Sequence, residues 1–211
     1  LTSAWGQNSG NHKATPAAAA AEETAAGWLL ELLDLPRQCS VGFVTGATAA
    51  NMVGLAAARG EVLRRVGWDA EADGLFGAPP IAVFIGDDAH VTVFQALKVL
   101  GLGTARVVRI AADEQGRMRS DALATAMARA GAGPKIVIGQ AGQLNTGGFD
   151  PFHEIVPIAH RHGAWLHVDG AFGLWARAAD AVSARVALDE QAHDQQRERS
   201  RQQPERDRSE E

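Results

Sequence analysis

Between about residues 16 and 175 the chain alternates short apolar runs with helical segments of ten residues or more. That alternation restricts the fold more than any single residue does. A strand followed by a helix long enough to cross back over the sheet returns parallel, through a right-handed crossover. An Ala-rich helix is expected from Pro16, with proline at its first position, through Trp28, Leu29, Leu32 and Leu33 until Leu35-Pro36 ends it. Strands are expected at Val41–Thr45, Ile81–Ile85, Arg106–Ile110, Lys135–Gly139 and Ala164–Val168. Helices are expected near Ala47–Arg65, Val91–Leu100, Ser120–Ala130 and Pro151–His162. The fold class is α/β, a mostly parallel sheet flanked by helices.

Composition excludes several classes of function. No apolar run approaches the roughly 20 residues that span a bilayer, so no membrane partner is expected. A formal net charge of −5 leaves no basic footprint for nucleic acid. The start, Leu1-Thr2-Ser3-Ala4-Trp5, is neither a methionine nor a signal peptide, and the lone Cys39 forms no internal disulfide. The expectation is a fragment of a cytoplasmic protein. After about Ala178 the character changes, and from Asp189 to Glu211 no large apolar residue occurs. Two regions are expected: a folded unit over 1–178 and a charged, disordered tail over 179–211.

Polar residues gather where strands end, which is where ligands bind open α/β sheets. Trp165-Leu166-His167-Val168-Asp169-Gly170-Ala171-Phe172-Gly173 delivers a carboxylate to a strand end and then breaks into glycine-flanked chain. Such a carboxylate can keep a heteroaromatic nitrogen protonated, the task a pyridoxal phosphate site gives its Asp. It can equally cap a helix or form a turn. Thr45-Gly46-Ala47-Thr48 opens a helix with small residues, so its amides and the Thr48 hydroxyl suit a phosphate monoester; a plain helix start is the alternative. His90, in Asp87-Asp88-Ala89-His90, can stack on a flat ring, relay a proton, or merely be solvated. Gln140–Gly148, rich in amide and small side chains, either contacts a ring substituent or is a turn-rich loop. No metal site is expected.

Together these segments resemble a family. Thr45–Arg59, Asp88–Gly101 (DAHVTVFQALKVLG), Gln140–Pro151 (QAGQLNTGGFDP) and Trp165–Gly173 (WLHVDGAFG) have the order and spacing of the pyridoxal-phosphate-dependent (group II) decarboxylases. The resemblance covers roughly Trp5 to Ala178. It implies a fold type I, aspartate-aminotransferase-like large domain, incomplete in this chain, and a homodimer with active sites at the subunit interface. It implies decarboxylation of an amino acid, a small-molecule substrate, with pyridoxal 5′-phosphate as cofactor. Carried over, Ala47 and Thr48 hold the phosphate, His90 stacks on the pyridine ring, and Asn145 lies near the ring substituents. Asp169 pairs with the pyridine nitrogen, Ala171 packs against the ring face, and His167 helps position the site. Catalytic roles fall to His90 and Asp169.

One element of the family pattern is missing. Its Schiff-base lysine follows in a Ser-x-His-Lys-Trp segment, whereas the only lysines in this chain are Lys13, Lys98 and Lys135. The expectation is a decarboxylase by descent that cannot bind its cofactor covalently and is poorly soluble, with strand edges and apolar faces uncovered. Two rivals stand beside it: another fold type I pyridoxal enzyme, such as an aminotransferase or desulfurase, and a non-catalytic remnant that docks on an intact subunit.

Overall fold

The computed structural model describes residues 12–179, so the charged tail expected from 179 onward lies almost wholly outside the described residues. Helix α1 spans Pro16–Leu32 and α2 spans Ala47–Arg64. There follow β1 (Ala82–Gly86), α3 (Val91–Val99), β2 (Val108–Ile110), α4 (Ser120–Arg129) and β3 (Lys135–Gln140). Helix α5 (Phe152–Arg161), β4 (Trp165–Asp169) and a 3₁₀ turn at Leu174–Ala178 complete the order. The sheet runs β2-β1-β3-β4 with every pairing parallel, as the alternation requires.

Strand β3 explains why the layers close. Its residues 135–139 are all buried, and Ile136 and Ile138 face the opposite side from Val137. One face packs on α2 and α3 through Leu55, Ala58, Val62, Val93 and Leu97. The other packs on α4 and α5 through Leu123, Met127, Ile155 and Ala159. A strand with apolar residues at successive positions, rather than alternate ones, is what a sheet covered on both faces demands.

One expected strand does not form. Val41–Thr45 is irregular, pairs with no strand among the described residues, and leaves Phe43 47% and Val44 43% exposed. Strand propensity without a neighbour cannot satisfy backbone N–H and C=O groups, so the segment stays unpaired. The other four strands fall within about two residues of expectation. Apolar side chains do remain uncovered: Trp28, Leu32, Phe172 and Trp175 are all about half exposed or more.

Asp150 holds together the loops above the sheet. Its Oδ1 accepts from the Met118 amide and its Oδ2 from the Gln140 amide, each at 2.7 Å. Burial pushes this carboxyl above its ordinary range, while those two amides pull the other way. Replacing Asp150 with Ala strands two buried amides, so it should destabilise the fold by about 2–5 kcal/mol, read from urea unfolding. An unchanged midpoint would show that water serves those amides equally well.

Candidate functional site

The loops after β1, β3 and β4 and the start of α2 meet at the carboxyl ends of the strands. Parallel register places Gln140 beside Asp169. The Gln140 Oε1 accepts from the His90 amide at 3.1 Å, joining the β1 loop to β3. Past β4, Gly173 N donates to Ala141 O at 2.9 Å. A Cβ on Gly142 would come within 2.7 Å of Gly173 Cα, so the two loops touch backbone to backbone. Gly142 also has φ +95, which favours glycine. A small niche between Gly86, Ala89, Gln140, Asp150 and Asp169 opens among these loops.

Asp169 ends β4 and is 9% exposed. Its Oδ1 accepts from the Ala171 amide at 3.2 Å, and its Oδ2 from Asn51 Nδ2 at 3.1 Å. Among the described residues no cationic group forms an ion pair with it. A buried carboxylate is normally paired, and two neutral donors leave lone pairs to spare. The chemistry left over is that of an acceptor for a cationic N–H.

His167 lies two residues earlier on β4 and therefore on the same face. Its Nε2 meets Asn51 Oδ1 at 2.8 Å. The imidazole also presses on α2 where Gly54 leaves room: a Cβ there would lie 2.8 Å from His167 Cε1. Burial lowers the His167 pKa below its ordinary value, against an opposing pull from the Asp169 carboxylate.

Helix α2 points its start at the same region. Ala50 N donates to Gly46 O at 3.0 Å as the first helical bond, so the amides of Ala47, Thr48 and Ala49 have no acceptor within the helix. Ala47 is exposed and Thr48 half-buried. Asn51, one turn on, reaches Asp169, so the anion-accepting end of the helix and the carboxylate share one wall.

The remaining expected residues are placed as follows. His90 is exposed and caps α3: its Nδ1 accepts from the Thr92 amide at 3.4 Å and lies 2.9 Å from the Thr92 hydroxyl. Those two contacts hold the ring against Thr92. Ala171 meets the site through its amide on Asp169, and its methyl is exposed. Asn145 is exposed on a loop braced by Gln143, whose Oε1 accepts from the Asn145 and Thr146 amides; the described contacts do not bring it to Asp169. Asn51, Gly54 and Asp150 were not anticipated. A polar residue on the apolar face of a helix, 3% exposed, was the available signal for Asn51.

The donor set fits pyridoxal phosphate: open amides and a hydroxyl for a phosphate, a buried carboxylate for a ring nitrogen. Two of the three lysines lie elsewhere. Lys135 Nζ donates to Gly133 O at the opposite end of β3, about 16 Å from Gln140 along the strand. Lys98 is exposed on α3, about 12 Å along the helix from His90.

The chain is similar to proteins of known family and structure. The pyridoxal-dependent decarboxylase conserved domain matches residues 1–183, and the chain belongs to that family. It is 34% identical over 176 residues to the L-2,4-diaminobutyrate decarboxylase of Rhizobium meliloti, covering 82% of this chain and 33% of the relative. It is 35% identical over 134 residues to human cysteine sulfinic acid decarboxylase, covering 62% of this chain and 26% of the relative. The glutamate decarboxylase domain of a Vibrio parahaemolyticus diaminobutyrate protein superposes with a TM-score of 0.78 at 26% identity, over 88% of this chain and 41% of that one. Oryza sativa TDC, solved with PLP and tryptamine, gives 0.77 at 28% identity, over 89% and 40%. The chain thus spans about a third of the length of the curated relatives it matches.

Two outcomes follow from the His167 environment. Its pKa is lowered on folding, so the unfolded chain takes up the proton first as pH falls below about 6.5. Stability should therefore decline through that window, by at most about 1.4 kcal/mol per pH unit from this group. His167→Gln, which keeps a donor near the Nε2 position, should flatten that part of the melting-temperature profile; an unaltered profile would assign the slope elsewhere. Gly→Ala in a helix interior usually stabilises by up to about 1 kcal/mol, yet Gly54→Ala should lower the melting temperature.

Proposed function

We propose that the protein carrying this chain is a pyridoxal 5′-phosphate-dependent amino acid decarboxylase, and that residues 47–171 supply one wall of its cofactor site. The observation that carries this reading is the Asp169 carboxylate, buried at a strand end, with no cationic partner among the described residues, and hydrogen-bonded to Asn51 of α2 and to the Ala171 amide. Family membership and the carboxyl-end convergence of the loops support it.

When bound, the cofactor supplies an electron-accepting ring that takes up the electron pair left as the substrate carboxylate departs as carbon dioxide. Each residue then has a defined task. The amides of Ala47 and Thr48, with the Thr48 hydroxyl, hold the phosphate at the positive end of α2. Asp169 accepts from the ring N–H and keeps the proton there, because a carboxylate nearby favours the cationic form. His90, its ring fixed by Thr92, offers a flat face for stacking. Ala171 holds the carboxylate from the far side through its amide, and Asn145 serves the rim. Neither Lys98 nor Lys135 reaches this wall. The proposal extends to a homodimer in the cytoplasm; the exposed Trp28, Leu32, Phe172 and Trp175 offer apolar surface for a second subunit.

The test is calorimetric titration with pyridoxine 5′-phosphate, which lacks the aldehyde and so needs no lysine. The chain should bind it, and Asp169→Ala should weaken binding about tenfold or more. Carbon dioxide release from a panel of amino acids by the longer protein tests the activity. Binding indifferent to Asp169 would overturn the reading.

A further inference from the structure

We propose that Asn51 is a positioning residue that fixes the plane of the Asp169 carboxylate and locks His167 as its Nε2–H tautomer, leaving the carboxylate's charge for the ring nitrogen of the bound cofactor. This deepens the reading above and rests on it.

The chemistry of one side-chain amide carries the argument. Asn51 is 3% exposed and stands between two side chains of the same strand face. Its partner at 3.1 Å is Asp169 Oδ2, a carboxylate oxygen that accepts. The Asn51 NH₂ must therefore face the carboxylate, because the flipped amide would set two acceptors against each other. Oδ1 is then committed to His167 Nε2 at 2.8 Å, and a carbonyl oxygen can only accept. The proton is accordingly on Nε2, and in the neutral ring Nδ1 has none.

A second feature of α2 points to the same purpose. Gly54 is three residues from Asn51 and so on the same helix face. A methyl there would push the imidazole away, with 2.8 Å between Cβ and Cε1. Asn51 and Gly54 together form a shaped seat for His167, which a plain packing helix would fill with an apolar side chain.

The consequence is electrostatic. An imidazolium on the same strand face would neutralise Asp169 and compete with a cationic ligand. With His167 donating a neutral N–H to an amide, the only full charge in this trio is on Asp169. The amide also fixes which oxygen lone pairs point outward, since Oδ1 is held by Ala171 and Oδ2 by Asn51.

Two measurements on the full 211-residue chain test this. The first is a two-bond ¹H–¹⁵N correlation spectrum of the histidine rings at neutral pH, with His167→Gln identifying the signal. The neutral Nε2–H pattern is expected for the signal that His167→Gln removes; an Nδ1–H pattern or an imidazolium there would overturn the proposal. The second compares binding of pyridoxine 5′-phosphate with that of its 1-deaza analogue, which lacks only the atom facing Asp169. Wild type should prefer the first, and Asn51→Ala and the near-isosteric Asn51→Asp should lower that preference about tenfold. A folded variant with the preference intact would overturn the role of Asn51 while leaving the cofactor reading in place. No binding of either compound by wild type would overturn the cofactor reading itself, and the tautomer would still report on the amide.

Discussion

Everything at the carboxyl edge hangs on the parallel pairing of β3 between β1 and β4. Residues 136–138 contribute to both cores at once, so β3 cannot slide without exposing one face or the other. Its register with β4 sets Gln140 beside Asp169, and its register with β1 brings the His90 amide within reach of the Gln140 side chain. A one-residue slip would turn Asp169 and His167 to the α5 face, away from Asn51. The hydrophobic cores therefore specify the site geometry more than the polar contacts do; those contacts refine a position that packing has already fixed.

How much of this is legible in the sequence divides along physical lines. The four strands, five helices and the parallel sheet follow from apolar runs and helical periodicity, because burial on both faces writes itself into consecutive residues such as Ile136-Val137-Ile138. Val41–Thr45 carries the same signal, yet forms no strand: pairing is non-local, and an apolar run says nothing about whether a neighbour lies beside it. Asp169 and the start of α2 can be placed because strand ends and helix starts are marked by glycine. Asn51 shows only as a polar residue on an apolar helix face and Gly54 not at all, since their roles depend on His167, more than a hundred residues later. Asn145 is legible only through resemblance, and the described contacts brace its loop on Gln143.

The site resolves a conflict between burial and charge. Burying a carboxylate without a cation costs several kcal/mol unless donors replace water. Two neutral donors, Asn51 and the Ala171 amide, stabilise Asp169 without cancelling its charge. A salt bridge to Arg would have stabilised it more and removed the reason for having it there. Arg177 shows the contrast: it lies near the end of the described chain and forms an ion pair with Asp34 at 2.7 Å, a structural use of the same chemistry. The two carboxylates differ in their partners, neutral for Asp169 and charged for Asp34.

The edge strand completes the argument. β4 is written as an interior strand: Leu166 and Val168 pack beside Phe152 and Val156 on one face, while Trp165, His167 and Asp169 face α2 and α3 on the other. Its second backbone edge is nonetheless unpaired among the described residues, and the unpaired Val41–Thr45 exposes Phe43 and Val44. Open parallel edges with apolar faces recruit other strands. Asp169 ends that open strand, so its stiffness depends on β3 and on the two donors that hold its oxygens, the Asn51 side chain and the Ala171 amide. A free edge would let β4 twist, and the residue one turn into α2 helps hold its last side chain in place.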